Sequence, residues 1–102
     1  MPCRAIQLHA RDNIAVCTTP VQAGQTVVVT RPDGTTDEVV ALSEITFCNK
    51  IALCAVDQGE EILKYGEVIG RAAAPIARGE LANDVNIASQ PRAYADEYQI
   101  RD

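Results

Sequence analysis

Lys64-Tyr65-Gly66-Glu67-Val68-Ile69-Gly70 is the stretch that decides the fold of this chain. On its N-terminal side, Ile51-Ala52-Leu53-Cys54-Ala55-Val56 is a short apolar run, Asp57-Gln58-Gly59-Glu60 can turn the chain, and Ile62-Leu63 re-enters the core. Tyr65-Gly66 then breaks the strand before Val68-Ile69-Gly70-Arg71-Ala72-Ala73 forms the next one. A glycine set between apolar runs marks a bulge, a positive φ or a close approach that a Cβ would block. Gly66 and Gly70, followed by Pro75-Ile76 and Gly79, therefore predict a strand doubled sharply back on itself.

Toward the N-terminus, Arg4-Ala5-Ile6-Gln7-Leu8-His9 alternates polar and apolar residues, as a half-buried strand does. Arg11-Asp12-Asn13 is a turn signal before a second strand, Ile14 to Thr18. Pro20 and Gly24 bound a loop, and Thr26 to Thr30 is β-branched throughout. Pro32-Asp33-Gly34-Thr35 is a hairpin turn returning through Asp37 to Val40, a pair expected at the periphery. Leu42 to Ile45 reads as one helical turn or an irregular link, and Leu81 to Ile87 as a last short strand. Sustained 3.6-residue periodicity and internal repeats are not evident. The expectation is an all-β domain of short irregular strands over residues 1–90. A tail over 91–102 carries Tyr94, Tyr98 and Ile100, expected to dock on the domain or a neighbour.

Composition narrows the function classes. A net charge of −5 argues against nucleic acid or an anionic membrane as partner, since both call for a basic patch. The longest apolar run falls short of a membrane span and no leader opens the chain, so a cytoplasmic location is expected. With no Trp and a single Phe47, the core rests on Val, Ile, Leu and Ala, which favours a partner subunit or a homo-oligomer covering part of the surface. Cys3, Cys17, Cys48 and Cys54 show no Cys-x-x-Cys spacing and read as reduced and structural, with Cys48 kept open because it begins the central stretch.

Taken together, Asp12-Asn13-Ile14-Ala15-Val16, Gly24, Asn49-Lys50-Ile51-Ala52-Leu53, Lys64-Tyr65-Gly66-Glu67-Val68-Ile69-Gly70, Ile76 and Gly79 resemble the SAF-type β-clip domain. The similarity is to the version found at the N-terminus, or as the separate small subunit, of the altronate/galactarate dehydratase family, a group that includes the sulfolactate sulfo-lyase small subunit. It runs from about Ile6 to Ile87. The resemblance implies a hydro-lyase acting on sugar acids with a divalent metal, often iron, and a large dehydratase subunit as partner. It also marks departures. Asn49, Asn83 and Val85 stand where family members carry histidines, while Lys50 and Asn86 are kept. An amide neither titrates near neutral pH nor binds a borderline metal well.

The candidate substrate-binding residues are thus Asp12, Asn13, Asn49, Lys50 and Asn86; Lys64, Tyr65, Gly66, Glu67, Gly70 and Gly79 form the structural motif. No catalytic residue is assigned. His9, the only histidine, cannot build a metal site alone, although it could join Cys48 or Asp84, and no metal site is expected in this chain. Each candidate also has a bland reading: Asp12 and Asn13 as turn makers, Lys50 as a solvated strand-start lysine. Two functions follow, a small subunit that supplies substrate binding to a large catalytic chain, or a non-catalytic β-clip module for oligomer assembly or small-acid binding.

Overall fold

A computed structural model describes residues 3–89. The strands are β1 (Cys3–Ile6), β2 (Ile14–Cys17), β3 (Thr26–Thr30), β4 (Thr36–Val40), β5 (Lys50–Ala52), β6 (Glu61–Lys64), β7 (Glu67–Ala72), β8 (Leu81–Ala82) and β9 (Ile87–Ser89). They form a six-stranded sheet, β4-β3-β1-β2-β5-β8, and a three-stranded sheet, β6-β7-β9. All pairings are antiparallel except β1 with β3. The domain is all-β as expected, and among the described residues no helix is long and apolar enough to cross a membrane. The tail expected to dock lies outside the described residues.

The fold is one unit built twice, which corrects the expectation of no internal repeat. Val21 and Ile45 exchange both backbone hydrogen bonds at 2.8 Å, and Val56 and Ile76 do the same at 2.8 Å. Gly24 N–H donates to Ala41 O (2.7 Å) just as Gly59 N–H donates to Ala72 O (2.8 Å). Cys17, Val21, Val27, Ala41, Ile45 and Ile51 correspond to Ala52, Val56, Ile62, Ala72, Ile76 and Ala82, and every one of these is buried. Each half accordingly has its own apolar core, one around Val21, Val27 and Ile45, the other around Val56, Ile62 and Ile76. The repeat is hard to see in the sequence because its identical pairs, Val21 with Val56, Gly24 with Gly59, Ala41 with Ala72 and Ile45 with Ile76, are few, and the spacing between equivalent positions changes from 35 to 31 residues along the unit.

Each half contains two copies of one tight turn, at 21–25, 45–49, 56–60 and 76–80. Its fourth residue takes a left-handed backbone: Gly24 (φ 91), Cys48 (φ 72), Gly59 (φ 88) and Gly79 (φ 90). In three of the turns the fifth side chain caps the second N–H: Gln25 accepts from Gln22 (2.8 Å), Glu60 from Asp57 (2.6 Å), Glu80 from Ala77 (2.9 Å). The turn before β5 differs. Cys48 replaces the glycine, and the shorter Asn49 donates its amide to the Thr46 hydroxyl instead (2.6 Å).

The central hairpin has the expected doubling back. Lys64 pairs with Glu67 across Tyr65 (φ 58) and Gly66 (φ 73), two consecutive left-handed residues that match a type I′ turn. The register shifts between Ile62 and Leu63, so the ladder is irregular before Gly70. Gly70 then lies against β9, where a Cβ would sit 2.5 Å from Ala88 O.

Three strand expectations are corrected. Arg4 to His9 is not one strand: β1 ends at Ile6 because Gln7 turns inward, its amide donating to Asp12 O (2.9 Å). The run Ile51 to Val56 leaves the sheet after Ala52 and returns as the Val56–Ile76 bridge, leaving Cys54 and Ala55 exposed. Leu81 to Ile87 is two strands, since the amides of Asn83 and Asn86 hold a turn between them. Leu42 to Ile45 resolves to the irregular link rather than a helical turn. The 26–40 hairpin is peripheral only through β4, for β3 pairs with β1 and buries Val27 and Val29. The cysteines are free, two buried and two exposed, and burial with the neighbouring Cys3 pushes the Cys17 thiol up to about 11.

The left-handed Cys48 yields the first prediction. A non-glycine residue there costs about 1–2 kcal/mol, of which roughly 0.4–1 kcal/mol is offset by its stiffer unfolded chain. Cys48→Gly should therefore raise the thermal midpoint by a few degrees. A lower midpoint in differential scanning calorimetry would refute strain at this turn.

Candidate functional site

Lys50 opens β5 and pairs with Ala82 of β8, so the residues that follow β8, Asn83 and Asp84, come up beside it. With Ile69 and Ile87 these three line a cavity of about 260 Å³ between the two sheets. Asn86 fixes the loop that carries Asp84: its amide donates to Leu81 O (2.7 Å) and its carbonyl accepts from Asn83 N–H (2.8 Å). Asn83 in turn accepts from Val85 N–H (3.0 Å). Burial pushes the half-buried Lys50 ammonium below the ordinary lysine range, Lys64 adds to that shift, and Asp84 opposes it. One cation and one carboxylate, Lys50 and Asp84, thus line a concavity with the amide of Asn83, an arrangement suited to a carboxylate whose hydroxyls need hydrogen-bond partners. The strained turn at Cys48 stands directly before Lys50.

Asp12 and Asn13 lie in a second cavity, not in that of Lys50. Their side chains are engaged by backbone. Asp12 is only 5% exposed, and its two carboxylate oxygens accept from Tyr65 N–H (3.0 Å) and Gly66 N–H (2.8 Å). Asn13 pairs with β6 as a strand would, its amide donating to Glu61 O (2.9 Å) and its carbonyl accepting from Leu63 N–H (2.9 Å). The ring of His9 packs over Gly66, with its atoms 3.0 Å from where a Cβ would be, and its Nδ1 accepts from Arg11 N–H (3.0 Å). Of the five candidate residues, then, only Lys50 lines the cavity between the sheets, Asn86 braces its rim, and Asn49 is held in the turn before it. Asp84, Ile69 and Ile87, which complete the lining, are not among the residues the sequence singles out for binding.

The sequence matches the family profile of the altronate/galactarate dehydratase SAF domain over residues 3–90. The chain belongs to that family. No curated protein matches it. In this SAF domain the three positions that the resemblance assigns to histidines take different places. Asn83 lines the Lys50 cavity, Asn49 caps the preceding turn, and Val85 is 84% exposed. Among the described residues no group of three or more His, Cys, Asp or Glu side chains is placed to hold a metal ion. The described donor set therefore does not fit the divalent metal that the family implies.

Asp12 generates the second prediction. Asp12→Asn keeps the shape but leaves one amide N–H facing another donor at the Tyr65–Gly66 turn. Losing a buried charge-assisted bond of this kind costs about 1.5–3 kcal/mol. Urea unfolding should show that loss with an unchanged m-value; equal midpoints for Asp12→Asn and the parent would remove Asp12 from its structural role.

Proposed function

We propose that this SAF domain is the small subunit of a sugar-acid hydro-lyase of the altronate/galactarate type, binding the substrate for a separately encoded large catalytic chain. The observation that carries the reading is Lys50, held half-buried in the wall of the Asn83–Asp84 cavity with its pKa lowered by burial and by the charge of Lys64. Membership of the family gives the chemistry its direction. Dehydration removes the proton α to a carboxylate and expels the β-hydroxyl as water, leaving a 2-keto-3-deoxy acid. It needs a base, an acid and neutralisation of charge on the carboxylate as the enediolate develops. Lys50 supplies the last, donating to the carboxylate, while Asp84 accepts from substrate hydroxyls. Base, acid and the family's divalent metal, iron among them, belong in this reading to the large chain.

Lys50 is also a cost to the fold, and that cost separates function from structure. Its folded-state pKa lies below the unfolded value, so the unfolded chain binds more protons between the two, and stability rises with pH across that window. Below the folded pKa the penalty is fully present. Lys50→Met should therefore leave the thermal midpoint at neutral pH unchanged or raised. In the complex reconstituted with the large chain, the same variant should weaken substrate affinity by about ten- to a hundredfold. Affinity of the parent complex should fall as pH rises through Lys50's lowered pKa, earlier than for an ordinary lysine near about 10.4. The assay is formation of the 2-keto-3-deoxy acid from altronate or galactarate. If adding this chain to the large chain yields no more product than the large chain alone, the small-subunit reading fails. An assembly module that self-associates or binds a small acid would replace it.

A further inference from the structure

Arg11, Arg31 and Arg78 come from three separate turns and line one cavity of about 370 Å³, together with Asp37, Leu53 and Cys54. We propose that this cavity is a second anion site, separate from that of Lys50, which takes a small oxyanion through a carboxylate or phosphoryl group.

The charge balance is the first support. Asp37 is shared, 3.1 Å from Arg31 and 3.5 Å from Arg78, so one carboxylate serves two guanidiniums. Among the described residues no ion pair reaches Arg11. The carboxylate of Asp12 also lines the cavity, with both oxygens engaged by the Tyr65 and Gly66 N–H groups. In a chain of net charge −5, the three guanidiniums lining this cavity outnumber its two carboxylates, Asp12 and Asp37.

Preorganisation is the second. Arg78 donates from Nη1 to Leu53 O (2.8 Å) and from Nη2 to Glu38 O (3.0 Å), and Arg31 from Nη1 to Thr36 O (3.3 Å). Guanidiniums fixed by backbone carbonyls lose little further freedom when an anion arrives, and each keeps unused N–H donors. If the three arginines only stapled the 31–37 hairpin to the fourth turn, Arg11 would have no part in it, and exposed ion pairs of this sort contribute little stability. The volume also falls in the range of about 300–1,000 Å³ that holds small ligands, and a four- to six-carbon acid fits it.

Cys54, exposed on the cavity wall, provides the readout, and Cys48, exposed on the turn before β5, provides the internal control. Alkylation of each thiol in the full chain by neutral iodoacetamide at alkaline pH is followed by peptide mass spectrometry. L-tartrate or inorganic phosphate should protect Cys54 from iodoacetamide in a saturable way, and Arg11→Gln should weaken that protection by about tenfold. Protection by tartrate alone identifies a carboxylate ligand, by phosphate alone a phosphoryl one. Equal protection at Cys54 and Cys48, or protection unchanged in Arg11→Gln, would overturn the proposal. Lys50→Met should retain the protection, so this result stands or falls apart from the small-subunit reading.

Discussion

The arrangement of the two sheets depends on one buried carboxylate. Two successive left-handed residues, Tyr65 and Gly66, turn their N–H groups toward the same side, and neither has a strand partner there. Such a pair is an anion nest, and Asp12 fills it with both oxygens. Asn13 adds a mimic of strand pairing along β6. Through these two residues the corner before β2 grips the hairpin of the second sheet. The seam thus held is where Lys50 meets Ile69 and Ile87. Removing the grip would loosen the wall of that cavity even though Asp12 lines a different one.

The central hairpin was legible in the sequence because its constraint is local. Gly66 and Gly70 occupy backbone positions that few other residues tolerate, and a two-residue loop between apolar runs has few solutions. The strands beginning at Ile14 and Thr26 were legible as apolar or β-branched runs bounded by turn residues, and the return from Asp37 to Val40 through the Pro32 to Thr35 turn before it. The run Ile51 to Val56 misled because burial on both sides of a bend gives the same apolar string as a continuous strand. Leu81 to Ile87 misled because side-chain amides, not glycine or proline, make its turn.

The sites were less legible than the fold. Lys50 stood out through resemblance, but its surroundings depend on which strands pair. Asp84 is distant in sequence and adjacent only because β8 lies beside β5. The arginines at 11, 31 and 78 carry no shared motif; three unrelated turns bring them to one wall. Overall charge concealed both places, since a chain of net −5 gives no hint of where its cations gather.

The doubled architecture has a consequence for how the chain reaches its native state. All-β domains usually fold slowly, because distant strands must meet before any contact rewards the lost chain entropy. Here each half closes its own bridge, Val21 to Ile45 and Val56 to Ile76, over roughly two dozen residues or fewer. Closing loops of that length costs little more than closing a hairpin, since the entropy grows only logarithmically with length. Each half can collapse onto its own core before the other is in place. The late step is then the docking of two half-formed units along the seam where Asp12 meets the hairpin.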